Sequence, residues 1–87
     1  MKIELFVSPT FAPCEDASRI WSTAASEHDA SFSIIDINSP DGHAYAQRLG
    51  VHAVPLVVID GKPLALRVQT LVEARQLVES NSLRKMI

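Results

Sequence analysis

A cysteine at the end of a proline-rich turn is the residue of this chain best placed to do chemistry. The turn, Ser8-Pro9-Thr10-Phe11-Ala12-Pro13-Cys14, lies between an apolar run and an amphipathic segment. Pro13 suits the first position of a helix, which would place Cys14 in the first helical turn. Ser8 or Thr10 is expected to accept a hydrogen bond from that turn. Unpaired N–H groups and the positive end of the helix dipole would then favour the reactive thiolate of Cys14.

The residue three positions before Cys14 decides which thiol chemistry is available. A cysteine there would complete Cys-x-x-Cys, but the residue is Phe11, and the chain of 87 residues contains one cysteine. Phe11 carries no nucleophile, so two-cysteine exchange and an internal disulfide are both chemically unavailable. Phe11 has two interpretations: it fills the space that a sulfur would occupy, or it is an exposed aromatic anchor for a partner.

Composition argues against several classes of function. A formal charge of -2, from 8 basic and 10 acidic residues, predicts no binding to nucleic acid or to a membrane surface. No apolar run approaches the roughly 18–20 residues of a membrane span, and residues 1–4 show no signal-peptide pattern, so a cytoplasmic protein is predicted. His28, His43 and His52 lack metal-ligand spacing. We therefore predict no metal and no cofactor.

The hydrophobic periodicity predicts a single α/β domain over residues 1–87. Strands are predicted at residues 2–7, 31–37, 56–59 and 64–68, and helices at 13–28, at 41–49 and from 70 to about 81. Trp21 belongs to the apolar stripe of the first helix. The second helix is bounded by Ser39-Pro40 and Gly50. Asp60-Gly61 predicts a hairpin with Pro63 at the mouth of its second strand, and Thr70 with Glu73 predicts a capping box.

This β-α-β-α-β-β-α order, with the turn after the first strand and Val54-Pro55 before the third, resembles the thioredoxin superfamily. Within that superfamily, the chain is most similar in size to glutaredoxins and glutaredoxin-like small thioredoxins. The resemblance implies a mixed four-stranded sheet flanked by three helices and a cis-proline at Val54-Pro55. It also implies that residue 54 offers its backbone to an extended substrate. In that family the first cysteine attacks and the second resolves the mixed disulfide, so Phe11 stands at the attacking position and Cys14 at the resolving position.

Two functions from different classes follow from the resemblance. The first is a thioredoxin/glutaredoxin-like protein that lacks the dithiol and binds a protein or peptide in the former substrate groove. Its contact surface would comprise Phe11, Ala12, Pro13, Val54 and Pro55, flanked by His52 and Ala53. The alternative is a thiol–disulfide oxidoreductase or redox participant that acts through Cys14 alone, with glutathione or a partner thiol as the second sulfur.

Cys14 and Phe11 leave further alternatives open. Cys14 could be a buried structural residue, form an intermolecular disulfide or glutathione adduct, act as a single-thiol nucleophile, or ligate a metal or cluster across a dimer. An apolar patch around Phe11 would make a homodimer. Arg67 is interpreted as a solvated strand residue.

Overall fold

The computed structural model describes residues 1–66 and 70–85. The strands are β1 (Lys2–Val7), β2 (Ser31–Asp36), β3 (Leu56–Ile59) and β4 (Lys62–Leu66). The helices are α1 (Pro13–Glu27), α2 (Pro40–Leu49) and α3 (Leu71–Lys85). The predicted α/β class and element order are therefore confirmed.

The four strands form one mixed sheet in the order β2-β1-β3-β4. β1 pairs in parallel with β2 and antiparallel with β3, and β3 pairs antiparallel with β4. β1 is a central strand with helices on both of its faces, which explains its nearly continuous apolar sequence. Its carboxyl end leads directly into the turn that carries Cys14.

Alternate residues of β1 build two hydrophobic clusters, one on each face of the sheet. The cluster beneath α1 and α3 contains Leu5, Cys14 and Trp21, and Trp21 is fully buried as predicted. The cluster beneath α2 contains Phe6 and Ala46. Cys14 is thus part of the packed core on the α1 face.

The predicted capping residues of α2 and α3 form the expected hydrogen bonds. Ser39 Oγ accepts from the N–H of Gly42 at 3.0 Å, and Gly50 ends α2 with a φ of 75°. Thr70 and Glu73 form a reciprocal capping box, with N–H to side-chain oxygen distances of 3.0 and 3.1 Å. Local sequence therefore determines where both helices begin.

The hairpin turn also follows the sequence. Asp60 and Gly61 both have positive φ, 50° and 82°, which suits a two-residue connection between twisted strands. The strand after it begins two residues earlier than predicted, because Pro63 lies within β4 rather than at its mouth. An edge strand tolerates a missing N–H, and the register shifts between Val57 and Val58 opposite this proline. Residues 67 and 68, the predicted end of this strand, lie outside the described residues. Arg67, interpreted above as a solvated strand residue, is one of them.

Two further boundaries differ from the predictions. No side chain caps the start of α1, where Ala12 is the N-cap residue, so the expected role of Ser8 or Thr10 is wrong. α3 continues to Lys85 beyond the predicted fraying point at Asn81. The Asn81 side chain donates to the carbonyl oxygen of Leu77 at 2.8 Å, which keeps it within the helix instead of ending it.

None of the helices in residues 1–66 and 70–85 combines the length and apolar character of a membrane span.

Candidate functional site

The turn before α1 is held by successive backbone hydrogen bonds. The Phe11 N–H donates to the Ser8 carbonyl oxygen at 3.1 Å, and the Cys14 N–H donates to the Phe11 oxygen at 3.0 Å. The Glu15 N–H donates to the Ala12 oxygen at 3.1 Å. These i→i+3 bonds make the entry to α1 tighter than a regular α-helical turn. The backbone from Ser8 to Glu15 is therefore constrained before any partner binds.

Cys14 lies at the base of this turn and is 4% exposed. Its Sγ atom accepts a hydrogen bond from the Ser8 N–H at 3.5 Å. The N–H groups of Cys14 and Glu15 are not unpaired as expected, because they donate to the carbonyl oxygens of Phe11 and Ala12. The donor to the sulfur comes instead from the end of β1, outside the helix.

Hydroxyl and amide side chains tie the turn to the loop after β2. Ser8 Oγ and Thr10 Oγ1 are 3.1 Å apart, and Asn38 Nδ2 donates to Ser8 Oγ at 3.1 Å. The Asn38 N–H in turn donates to Asp36 Oδ1 at 2.8 Å. The role of Asn38 could not be predicted from the sequence, because it is 30 residues from Ser8 and no local pattern connects the two loops.

A cavity of about 340 Å³ opens beside the turn. It is lined by Val7, Ser8, Pro9, Phe11, Ala12, Cys14, Glu15 and Ser18. The structure thus brings together three predicted site residues, Phe11, Ala12 and Cys14. Phe11 is 47% exposed and is one of the large hydrophobic side chains that remain open to solvent.

The other predicted contact residues, Pro13, Val54 and Pro55, are not among the residues that line this cavity. The Val54-Pro55 peptide bond is cis, Pro55 is buried, and Val54 is half-buried against both hydrophobic clusters. The exposed His52 and Ala53 line a separate pocket of about 220 Å³.

A buried carboxylate lies on the other face of the sheet, beneath α2. Glu4 is 3% exposed, and its Oε1 accepts from the Tyr45 hydroxyl at 2.7 Å. Lys2 Nζ is 3.6 Å from Glu4 Oε2, and the Arg48 guanidinium lies 5.5 Å from the centre of the Tyr45 ring. The hydrogen bond to Glu4 raises the pKa of Tyr45, burial adds to the shift, and Arg48 opposes it. An acidic residue inside an otherwise apolar strand is the sequence signal that could have identified this pair.

The described residues contain no group of three or more histidine, cysteine, aspartate and glutamate side chains that could hold a metal ion. The groups at the turn are one buried thiol, one exposed aromatic ring, the hydroxyls of Ser8 and Thr10, and backbone hydrogen-bonding groups.

Thioredoxins are among the solved structures with a similar fold. Thioredoxin 1 from Thermosipho africanus superposes over the full length of both chains with a TM-score of 0.79 and 22% identity. A mutant thioredoxin from Halobacterium salinarum gives a TM-score of 0.75 and 25% identity, covering 91% of this chain and 72% of that one. The architecture and the position of the turn therefore define a thioredoxin fold, as the sequence predicts.

Sequence comparison assigns the family. A probable thioredoxin from Archaeoglobus fulgidus is 34% identical over 76 residues, which span 87% of this chain and 84% of that protein. A thioredoxin from Methanocaldococcus jannaschii is 36% identical over 61 residues, 70% of this chain and 72% of that protein. No protein-family model matches the chain. On the sequence relationships, the chain belongs to the thioredoxin family.

Proposed function

We propose that this protein binds an extended protein or peptide segment at the former substrate groove of the thioredoxin fold and does not perform two-cysteine exchange. The contact surface is residues 11–13 of the turn together with Val54 and Pro55. The observation that carries the proposal is the contrast in exposure at the two motif positions. Phe11 is 47% exposed and Cys14 is 4% exposed. The accessible position therefore carries an aromatic ring, and the thiol is buried.

Phe11 has the properties of a binding anchor. Aromatic residues dominate the binding energy of many interfaces because they bury a large apolar area with few rotatable bonds. The ring projects from a turn held by the Ser8 carbonyl oxygen and by the Ser8, Thr10 and Asn38 side chains. A constrained turn loses little conformational entropy on binding, which favours affinity.

Val54 supplies the second part of the proposed surface. It precedes β3 and packs against both hydrophobic clusters while remaining partly open to solvent. Pro55 is buried and Ala53 is exposed, so a partner would reach residues 53 and 54 rather than the Pro55 ring. An extended segment would add hydrogen bonds to that backbone in the manner of strand addition.

The proposal is tested with peptides selected from a random library against the whole chain under reducing conditions. A selected peptide is then titrated by calorimetry against the wild type and two variants. We expect Phe11→Ser to weaken binding about tenfold or more, because it removes a buried aromatic contact. Val72→Ser, at a 60% exposed apolar residue on α3, is the matched control and leaves the affinity unchanged.

Two results would contradict the proposal. In the first, no selected peptide binds the protein above background. In the second, the selected peptides bind Phe11→Ser as tightly as the wild type, which would place the contact surface elsewhere.

The hydrogen bond from the Ser8 N–H to Cys14 Sγ favours a second function, a redox role through Cys14 alone. In that reaction the Cys14 thiolate attacks glutathione disulfide, a mixed disulfide forms, and one glutathione leaves as its thiolate. The 340 Å³ cavity provides the route to the sulfur.

The intact mass of the native protein after incubation with glutathione disulfide tests this second function. A mixed disulfide in the native state supports the redox role, and modification only in denaturant excludes it.

A further inference from the structure

The two edges of the sheet differ in their protection against pairing with another strand. Edge strands carry unpaired backbone groups, and proteins commonly protect them with proline, lysine or a bulge. β4 has all three features: the exposed Lys62, Pro63, and a register shift opposite it between Val57 and Val58. β2 is the other edge strand.

β2 has no such feature from Ser31 to Ile35. These residues include no charged side chain and no proline, and the strand keeps a regular register with β1 along its whole length. The Ser31 N–H donates to the Met1 oxygen, and the Ile37 N–H donates to the Val7 oxygen, both at 3.0 Å. Because backbone groups alternate along a strand, the N–H and C=O groups of Phe32 and Ile34 point away from β1. In the described part of the chain no strand lies on that side.

An apolar groove runs beside this edge. The groove has a volume of about 600 Å³ and is lined by Ser18, Arg19, Ser22, Thr23, Phe32 and Ile34. Ile34 is 52% exposed, an unusual position for a large aliphatic residue in a strand. Arg19 is the single charged residue of this lining, and it forms an ion pair with Asp16 on its own helix. Two copies of such a locally neutral surface can meet without repulsion between like charges.

We propose that β2 pairs antiparallel with β2 of a second copy, which joins the two sheets into one continuous sheet. A two-fold axis through Ser33 places Phe32 opposite Ile34 of the other copy, and Ile34 opposite its Phe32. Both residues direct their N–H and C=O groups outward, so each of these two pairs exchanges two hydrogen bonds. The same register sets apolar side chains against each other on the α1 face. The surface is therefore complementary to itself in backbone geometry, side chains and charge.

The area of this interface determines the expected affinity of the dimer. In this register residues 31–35 of the two strands overlap over about 17 Å, so the contact falls at the small end of specific interfaces, near or below about 1,200 Å² in total. A weak, reversible dimer follows, with a dissociation constant in the micromolar range or above. The dimer does not involve Phe11, so it is independent of the proposed peptide site.

Sedimentation of the whole chain under reducing conditions, from about 10 μM to about 1 mM, tests the proposal. We expect a reversible increase from monomer to dimer mass. Ile34→Lys weakens the dimer about tenfold or more, because it places a charge on the edge strand opposite the apolar Phe32 of the other copy. Val72→Lys changes an exposed apolar residue on α3 and leaves the dimer unchanged.

Hydrogen exchange of backbone amides is a second measurement. The exchange rates of the Phe32 and Ile34 amides should fall as the protein concentration rises, whereas that of Ser33 should not change, because its N–H already faces β1.

Several outcomes overturn the proposal. A protein that stays monomeric over this range has no such interface. A dimer that Ile34→Lys leaves intact, or that Phe11→Ser abolishes, forms through another surface. Circular dichroism of each variant verifies that the substitution has not unfolded the chain, and Ile34→Ser provides a second, uncharged disruption that should weaken the dimer less.

Discussion

At the scale of single residues, the exchange of one side chain at position 11 should create a dithiol. The Cys14 N–H donates to the Phe11 oxygen at 3.0 Å, and such a turn keeps the two Cα atoms within about 7 Å, inside the range that a disulfide can span. We expect Phe11→Cys to form a disulfide with Cys14 and to reduce a protein disulfide with dithiothreitol as the electron source, whereas the wild type does not. The measurement is the rate of insulin reduction.

Phe11→Ser is the matched control for that experiment, since it removes the ring without adding a thiol. It should remain as inactive as the wild type. A Phe11→Cys variant that forms the disulfide, shown by intact mass, and still lacks activity would mean that the turn does not present residue 11 to substrates.

The Glu4–Tyr45 hydrogen bond shifts the pH at which the single tyrosine of the chain ionises. The pKa of Tyr45 is raised above 10.0, chiefly by the hydrogen bond to the Glu4 carboxylate. A raised folded-state pKa contributes stability that is fully present below 10.0 and is lost as the pH rises through the folded pKa. We expect Glu4→Gln to lower the midpoint of the phenolate absorbance titration. Arg48→Gln should raise it, because Arg48 favours the phenolate, and shifts of the same sign in both variants would contradict this assignment.

The sequence predicted single residues well where their neighbours along the chain decide their environment. Pro13 begins α1, and Cys14 occupies the first helical turn, as its position after two prolines indicates. The contacts of Ser8 with Asn38, and of Glu4 with Tyr45, join residues 30 and 41 positions apart, so no local pattern could predict them. The hydroxyl of Ser8 is bonded to Thr10 and Asn38, which explains why it does not cap the helix as expected.

At the scale of elements, replacing either Gly42 within α2 or Gly50 at its C-cap with alanine should destabilise the protein, but for different physical reasons. A Cβ at Gly42 would overlap the Asp36 carbonyl oxygen and lie 2.7 Å from Ser39 Oγ. Gly42→Ala should therefore destabilise the protein by about 2 kcal/mol or more, although alanine is the better helix former. Gly50 has open space around it but a φ of 75°, so Gly50→Ala should cost about 1–2 kcal/mol through backbone strain alone. Urea unfolding measures both changes.

Gln47→Ala, at an exposed position in the interior of α2, controls for the change to alanine and should alter the free energy of unfolding by no more than about 0.5 kcal/mol. Equal losses for Gly42→Ala and Gln47→Ala would contradict the steric argument.

The elements themselves could be predicted because their boundaries depend on short-range chemistry. Ser39, Gly50, Asp60, Gly61 and the Thr70 capping box all act on backbone groups close to them in the chain. The start of β4 was misplaced because its proline is tolerated by a tertiary property, its position at the edge of the sheet. Sequence reasoning can recognise a proline, but the order of strands in the sheet decides whether a strand may contain it.

At the scale of the whole molecule, α1 and α3 cover the same face of the sheet and are joined by one ion pair among the described residues. Arg75 Nε and Nη2 donate to the two carboxylate oxygens of Glu27, at 2.8 and 2.6 Å. The pair is bidentate, and the hydrogen bonds to Arg75 lower the pKa of Glu27 below 4.5. The two residues are 48 positions apart, so the pair forms only when the helices are docked on the sheet.

This geometry predicts a specific response to acid. A lowered folded-state pKa contributes stability that is present above 4.5 and is lost as the pH falls through the folded pKa of Glu27. The free energy of unfolding of Glu27→Gln should therefore lie below that of the wild type near neutral pH and converge with it in acid. In an Arg75→Gln background the same substitution should have little pH-dependent effect, because the carboxylate no longer has its partner. Added salt should shrink the difference at neutral pH, since both side chains are partly open to solvent. The free energies of unfolding of wild type and Glu27→Gln could instead differ by the same amount from neutral to acidic pH. That result would show that the α1–α3 contact is held by Ala17, Ala74 and Val78 without help from this ion pair.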